Sequence, residues 1–123
     1  MKRSNTIIIA EAGVNHNGSM DLAMKMIDVA AEAKVDFIKF QTFIASELVT
    51  QKAEKADYQK NSSNNESQFE MLKSLELDPH QLKNLKNYCN EKNIRFLSTA
   101  FDRESIDLLT DLNIPFYKIP SGE

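Results

Sequence analysis

Glu11, Lys39, Gln41, Thr99, Lys118, Ser121 and Glu123 have the side chains that could hold an anionic substrate and move its protons, and each stands in or just past a short apolar run. Ile7-Ile8-Ile9-Ala10 runs into Glu11, and Phe37-Ile38-Lys39-Phe40-Gln41 carries two polar groups. Arg95-Phe96-Leu97-Ser98 meets Thr99 and Asp102, and Phe116-Tyr117-Lys118-Ile119 meets Ser121 and Glu123. A lysine holds a phosphate or carboxylate through charge-assisted hydrogen bonds worth about 1.5–3 kcal/mol each. Ser121 and the backbone donors around Gly122 could bind an anionic oxygen, and Glu123 could manage a proton or a metal-bound water.

Period-2 alternation puts Ile7, Ile9 and Glu11 on one face, with Phe37, Lys39 and Gln41, and with Phe116, Lys118 and Pro120. The alternate set of Ile8, Ile38, Phe40, Tyr117 and Ile119 is apolar or aromatic and suits a helix-covered outside. Glu11, Lys39, Gln41 and Lys118 then point inward. Two ammonium groups in such a mouth cost several kcal/mol each without partners. Glu11 can supply one counter-charge, leaving the cluster net positive; the same residues also read as a structural Glu–Lys pair. Pro120-Ser121-Gly122 is also ordinary turn chemistry, and Asp102 reads as a helix cap before it reads as a catalyst. His16 could ligate a metal, donate to substrate or serve only as a turn residue. His80 belongs in a solvated first helical turn, and the two histidines lack metal-ligand spacing.

The elements that must position these residues follow from periodicity. Ile7 to Ala10 is a strand; the loop Glu11 to Gly18 closes on an Asn-Gly turn, and Ser19 caps a helix from Met20 to Ala33 with Ala23, Met26, Ile27 and Ala30 inward. Phe37 to Phe43 is the second strand. From Ser46 to Glu66 the chain is polar, a length typical of lids and binding loops. Ser67 and Glu70 form a capping box for a helix through Leu75, and Asp78, Pro79 and Gln81 open the next. Cys89 shares a stripe with Leu82 and Leu85 and reads as a core thiol. Arg95 to Ser98 is the third strand, Asp102 caps a helix with Ile106, Leu109 and Leu112 or Asn113 inward, and Phe116 to Ile119 is the fourth strand. Alternating strands and helices imply α/β architecture with a parallel sheet. No internal repeat stands out.

At 123 residues the chain suits about four β/α units, the N-terminal part of a (β/α)8 TIM barrel, which needs roughly 200 residues or more. A net charge of −3 offers no global attraction for nucleic acid or an anionic membrane, so an anion must be held by a local cluster. No apolar run has membrane-spanning length, the amino terminus lacks a cleavable signal, and the expected location is cytoplasmic. A single cysteine excludes an internal disulfide. There is no GxGxxG or Walker loop for dinucleotides or NTPs.

Four ordered segments, Ile9 to Gly18 (IAEAGVNHNG), Lys39 to Phe43 (KFQTF), Leu97 to Asp102 (LSTAFD) and Lys118 to Glu123 (KIPSGE), resemble the N-terminal part of the sialic acid synthases, the N-acetylneuraminate, legionaminate and pseudaminate synthase family. The resemblance implies a metal-dependent transferase that condenses phosphoenolpyruvate with an N-acetylated amino sugar, giving a nine-carbon 2-keto acid and phosphate. It implies Glu11 and Glu123 as catalytic residues for protons or metal-bound water. Lys118 and Ser121 would hold phosphoenolpyruvate, and Lys39, Gln41 and Thr99 would position the reactants. It further implies a divalent manganese or magnesium ion with ligands beyond Glu123, an antifreeze-like C-terminal domain, and a homodimer. The segment alone is then expected to be inactive. Ala100 departs from a proline common in relatives. Tyr58 to Ser67 resembles the loop that contacts the acylamino group, without a register that assigns Asn61, Asn64 or Asn65. Two other readings stand beside this one: a non-catalytic half-barrel that binds or self-assembles through its open edges, and an unrelated barrel enzyme acting on another phosphorylated acid.

Overall fold

The computed structural model describes residues 5–49 and 67–122. Three strands, β1 (Ile9–Gly13), β2 (Phe37–Thr42) and β3 (Arg95–Ala100), form a parallel sheet in that order. Among the described residues the helices are α1 (Met20–Glu32), α2 (Ala45–Leu48), α3 (Gln68–Leu75), α4 (Pro79–Glu91) and α5 (Arg103–Asp111). This is the expected α/β fold with a parallel sheet.

Parallel strands require crossovers, and the apolar stripes of the helices cover one face of the sheet. Ile38, Phe40 and Phe96 on that face are buried with Ala23, Ile27 and Ala30 of α1, Leu82, Leu85 and Cys89 of α4, and Leu109 of α5. The opposite face carries the polar set. Glu11 lies beside Lys39, and Gln41 beside Thr99, in the strand register. Below them Phe37 and Leu97 are buried, and the Phe37 ring meets the Arg95 guanidinium at 4.2 Å and the Phe116 ring at 5.2 Å. The alternation sorts the two faces of β2 as expected, whereas Ile8, Tyr117 and Ile119, expected on the helix-covered side, lie exposed outside the sheet.

Four of the five described helices, α1, α3, α4 and α5, start with the cap their sequence called for. Leu22 N–H donates to Ser19, Ser67 and Glu70 cap reciprocally, Asp78 and Gln81 do the same, and Ser105 N–H donates to Asp102. The turns that end α1, α4 and α5 share a device that simple periodicity does not reveal. Lys34, Asn93 and Asn113 take left-handed φ values of 59°, 58° and 55°. The following Val35, Ile94 and Ile114 then donate back to Ala30, Cys89 and Leu109 carbonyls. This is the Schellman closure, with an apolar residue at the returning position. The residues that follow the three turns read Val-Asp-Phe, Ile-Arg-Phe and Ile-Pro-Phe.

Three expectations change. β1 begins at Ile9, and Ile7 and Ile8 are exposed ahead of it. Ile106 lies exposed, while Ser105 and Leu109 form the buried side of α5. Phe116–Ile119 does not join the sheet as a fourth strand. Pro115 and Pro120 bracket it and remove two N–H donors from any ladder. Side chains hold it instead: Phe116 on Phe37, and the Tyr117 hydroxyl hydrogen-bonded to Thr110. The expected loop through Glu66 lies outside the described residues except for its first part, 46–49, of which 46–48 close α2.

Cys89 is fully buried, and desolvation pushes its thiol up to about 12. Iodoacetamide at pH 8 should therefore leave Cys89 unmodified in the folded chain and label it promptly in urea; equal labelling rates by mass spectrometry would contradict this packing.

Candidate active site

A cleft of about 440 Å³ opens where the strands end, lined by Glu11, Lys39, Gln41, Thr99, Phe101, Lys118, Pro120, Ser121 and Gly122. Six of the seven residues singled out for chemistry meet there. The seventh, Glu123, lies outside the described residues, as do Asn61, Asn64 and Asn65.

Lys39 is the centre of this cluster. Its side chain is 13% exposed, it is ion-paired with Glu11, and its ammonium donates to Thr99 Oγ1 at 3.3 Å. The charge is tolerated because each neighbouring strand supplies a partner: Glu11, level with Lys39 on β1, and Thr99 on β3, two residues beyond its register partner Leu97. Glu11 is 47% exposed and faces the opening. Among the described residues Lys39 is paired with Glu11, and no described carboxylate pairs with Lys118.

Gly13 makes room for this pair. The β1 register shifts between Glu11 and Gly13, and Gly13 adopts φ +55°. A side-chain carbon there would lie 3.1 Å from Glu11 Oε1 and 3.6 Å from Gln41 Nε2, between the two groups that must share the cleft. Gly18 is required for a different reason: any side chain would strike the Ser74 carbonyl, which closes the β1–α1 loop against α3.

Phe101 is the lining residue that sequence reasoning missed. Extending the inward series Leu97, Thr99 by two more residues reaches it, but the expected strand stopped at Ser98. Asp102 is a cap, as expected, and does not line the cleft. Among the described residues no three His, Cys, Asp or Glu side chains converge, and with Glu11 the one described carboxylate lining the cleft, these residues do not by themselves form a metal centre.

A parallel sheet backed by helices, with charged residues gathered at the strand ends, is the arrangement of the N-terminal portion of a (β/α) barrel. The NeuB family model matches residues 26–123, and the chain belongs to the NeuB family. It is 53% identical to the N,N'-diacetyllegionaminic acid synthase of Campylobacter jejuni across 96% of this chain and 36% of that protein. It is 50% identical to the enzyme of the same name from Legionella pneumophila, across 94% of this chain and 33% of that one. The N-acetylneuraminic acid synthetase structure from Leptospira borgpetersenii superposes with a TM-score of 0.74 at 33% identity, covering 92% of this chain and 35% of that one. The chain thus spans about a third of the length of the relatives it matches. No described helix is long and apolar enough to cross a membrane.

His16 takes none of the cleft roles open to it, nor that of an exposed turn residue. It is fully buried and its ring lies 6.2 Å from that of Phe40. Gly18 N–H donates to Nδ1 at 2.9 Å, so the proton of the neutral ring sits on Nε2, which has no partner among the described residues. Burial lowers its pKa below the usual 6.5. Above that value both folded and unfolded chains hold a neutral ring; below it the unfolded chain takes up a proton that the folded chain resists. Stability should therefore fall as pH drops from about 6.5, by up to about 1.4 kcal/mol per pH unit. Urea unfolding from pH 7.5 to 5.5 should show this slope, and His16→Phe should flatten it; identical slopes would contradict the assignment.

Proposed function

We propose that this chain is the N-terminal part of a synthase barrel that condenses phosphoenolpyruvate with an N-acetylated amino sugar, forming a nine-carbon 2-keto acid and releasing phosphate. The observation that carries this reading is the single cleft shared by Glu11, Lys39, Gln41, Thr99, Lys118 and Ser121, since a small acid with two anionic ends needs two ammonium groups and a hydroxyl within one small volume. Relatives at 53% and 50% identity both bear the name N,N'-diacetyllegionaminic acid synthase, which favours a di-N-acetylated sugar.

Lys118 and Ser121 hold the anionic groups of phosphoenolpyruvate, while Lys39, Gln41 and Thr99 orient the reactants. An arriving anion competes with Glu11 for the Lys39 ammonium and frees a carboxylate that can take a proton. The alkene carbon bonds to the sugar aldehyde carbon, whose oxygen gains a proton. Water adds to the oxocarbenium carbon and loses a proton to a carboxylate, Glu11 or Glu123. Breaking the C–O bond of the resulting adduct then releases phosphate and leaves the keto acid. A manganese or magnesium ion, held by residues outside this chain, would polarise the aldehyde.

On this reading the rest of the barrel packs against the apolar surfaces open at both sides, Val29 beside β1 and Ile106 and Ile119 beyond β3. An antifreeze-like domain completes the active site in a cytoplasmic homodimer. The whole protein that carries this segment should release one phosphate per keto acid from phosphoenolpyruvate and a di-N-acetylated hexosamine. Lys118→Met should lower turnover on the order of 100-fold. No phosphate release with any N-acetylated hexosamine, with manganese or magnesium present, would overturn the reading.

A further inference from the structure

Asp102 does more than cap α5. Its Oδ1 accepts Ser105 N–H at 2.8 Å, while Oδ2 accepts both the Ser105 hydroxyl at 2.9 Å and the backbone N–H of Ile44 at 2.7 Å. Ile44 is the N-cap residue of α2 and has no side-chain acceptor to offer its own helix. The next amide, of Ala45, donates to Glu76 Oε1 at 2.8 Å. Two carboxylates from distant elements therefore hold successive amides of the turn that leaves β2. The bond to Asp102 also continues the β2–β3 ladder: Phe101 N–H donates to the Thr42 carbonyl at 3.1 Å, and the Thr42 and Ser98 hydroxyls meet at 2.6 Å.

We propose that Asp102 is a positioning residue for the cleft. By fastening the turn after β2 to the start of α5, it fixes where Gln41, Thr99 and Phe101 stand at the rim, although it touches nothing bound there. A plain helix cap needs only the bond to Ser105. The bond to Ile44 crosses to another strand's loop, and it requires a second acceptor oxygen, which aspartate has and asparagine lacks. The claim that this placement matters for a ligand rests on the cleft being the phosphoenolpyruvate site; the claim that Asp102 sets the rim does not.

Asp102→Asn separates the two roles, because asparagine still caps a helix but cannot accept both amides, and Glu76 remains to hold Ala45. In the isotopically labelled whole protein that carries this segment, this variant should keep its far-ultraviolet dichroism. Exchange of the Ile44 amide should speed up about tenfold, equivalent to about 1.4 kcal/mol, and the Gln41, Thr99 and Phe101 amide resonances should shift. The apparent Kd for phosphoenolpyruvate should rise by a similar factor. Ser105→Ala, which keeps both amide bonds, should leave all these readouts close to those of the unsubstituted chain. Unmoved rim resonances, or a loosened Ile44 with unchanged affinity, would overturn the proposal. If the unsubstituted chain shows no affinity for phosphoenolpyruvate, the ligand reading falls, and the rim resonances alone decide the role of Asp102.

Discussion

A lysine side chain left only 13% exposed is the constraint around which this sheet is arranged. Lys39 stands in the middle of β2, flanked by Glu11 on β1 and Thr99 on β3. Slipping either neighbour by one residue would send its polar side chain to the helix-covered face and leave the charge uncompensated. The register of all three strands is thus tied to one charge. The bulge at Gly13 belongs to the same arrangement, since it leaves the space in which Glu11 and Gln41 approach each other.

The opposite face supplies the stability that lets such a group be buried. Phe40 and Phe96 stack with centroids 5.8 Å apart beneath α1 and α4, and apolar burial there offsets the desolvation of the polar face. Recurrent left-handed turns end α1, α4 and α5, each followed by an apolar residue packed against the core. Capped starts and Schellman ends together place the strand ends, and so the cleft, by local rules acting at each crossover.

Much of this is legible in the residues themselves. Strict alternation in Phe37-Ile38-Lys39-Phe40-Gln41 separates the core from the cleft without any tertiary information, and Ser19, Ser67, Asp78 and Asp102 announce their helices. What is not legible depends on long-range pairing. His16 is fully buried with its ring near Phe40 of β2, and Gly18 of the same loop lies against the Ser74 carbonyl of α3, neither of which any local pattern encodes. The second role of Asp102 depends on Ile44, 58 residues away. Phe116–Ile119 has strand periodicity, yet periodicity reports which face a side chain prefers and says nothing of whether backbone partners are present. Family resemblance, carried by four short motifs, agrees with the NeuB match and with the grouping of side chains in space.

The central claim is that Glu11, Lys39, Gln41, Thr99, Lys118 and Ser121 act as one anion-binding cleft. Titrating phosphoenolpyruvate into the isotopically labelled whole protein that carries this segment, and following side-chain ammonium and backbone amide resonances, tests it most directly. The expected result is a saturable change centred on those residues, with the Lys39 ammonium moving as Glu11 is displaced. Saturable changes elsewhere, along the exposed β1 edge or the outer helices, with Lys39 and Lys118 unmoved, would contradict it.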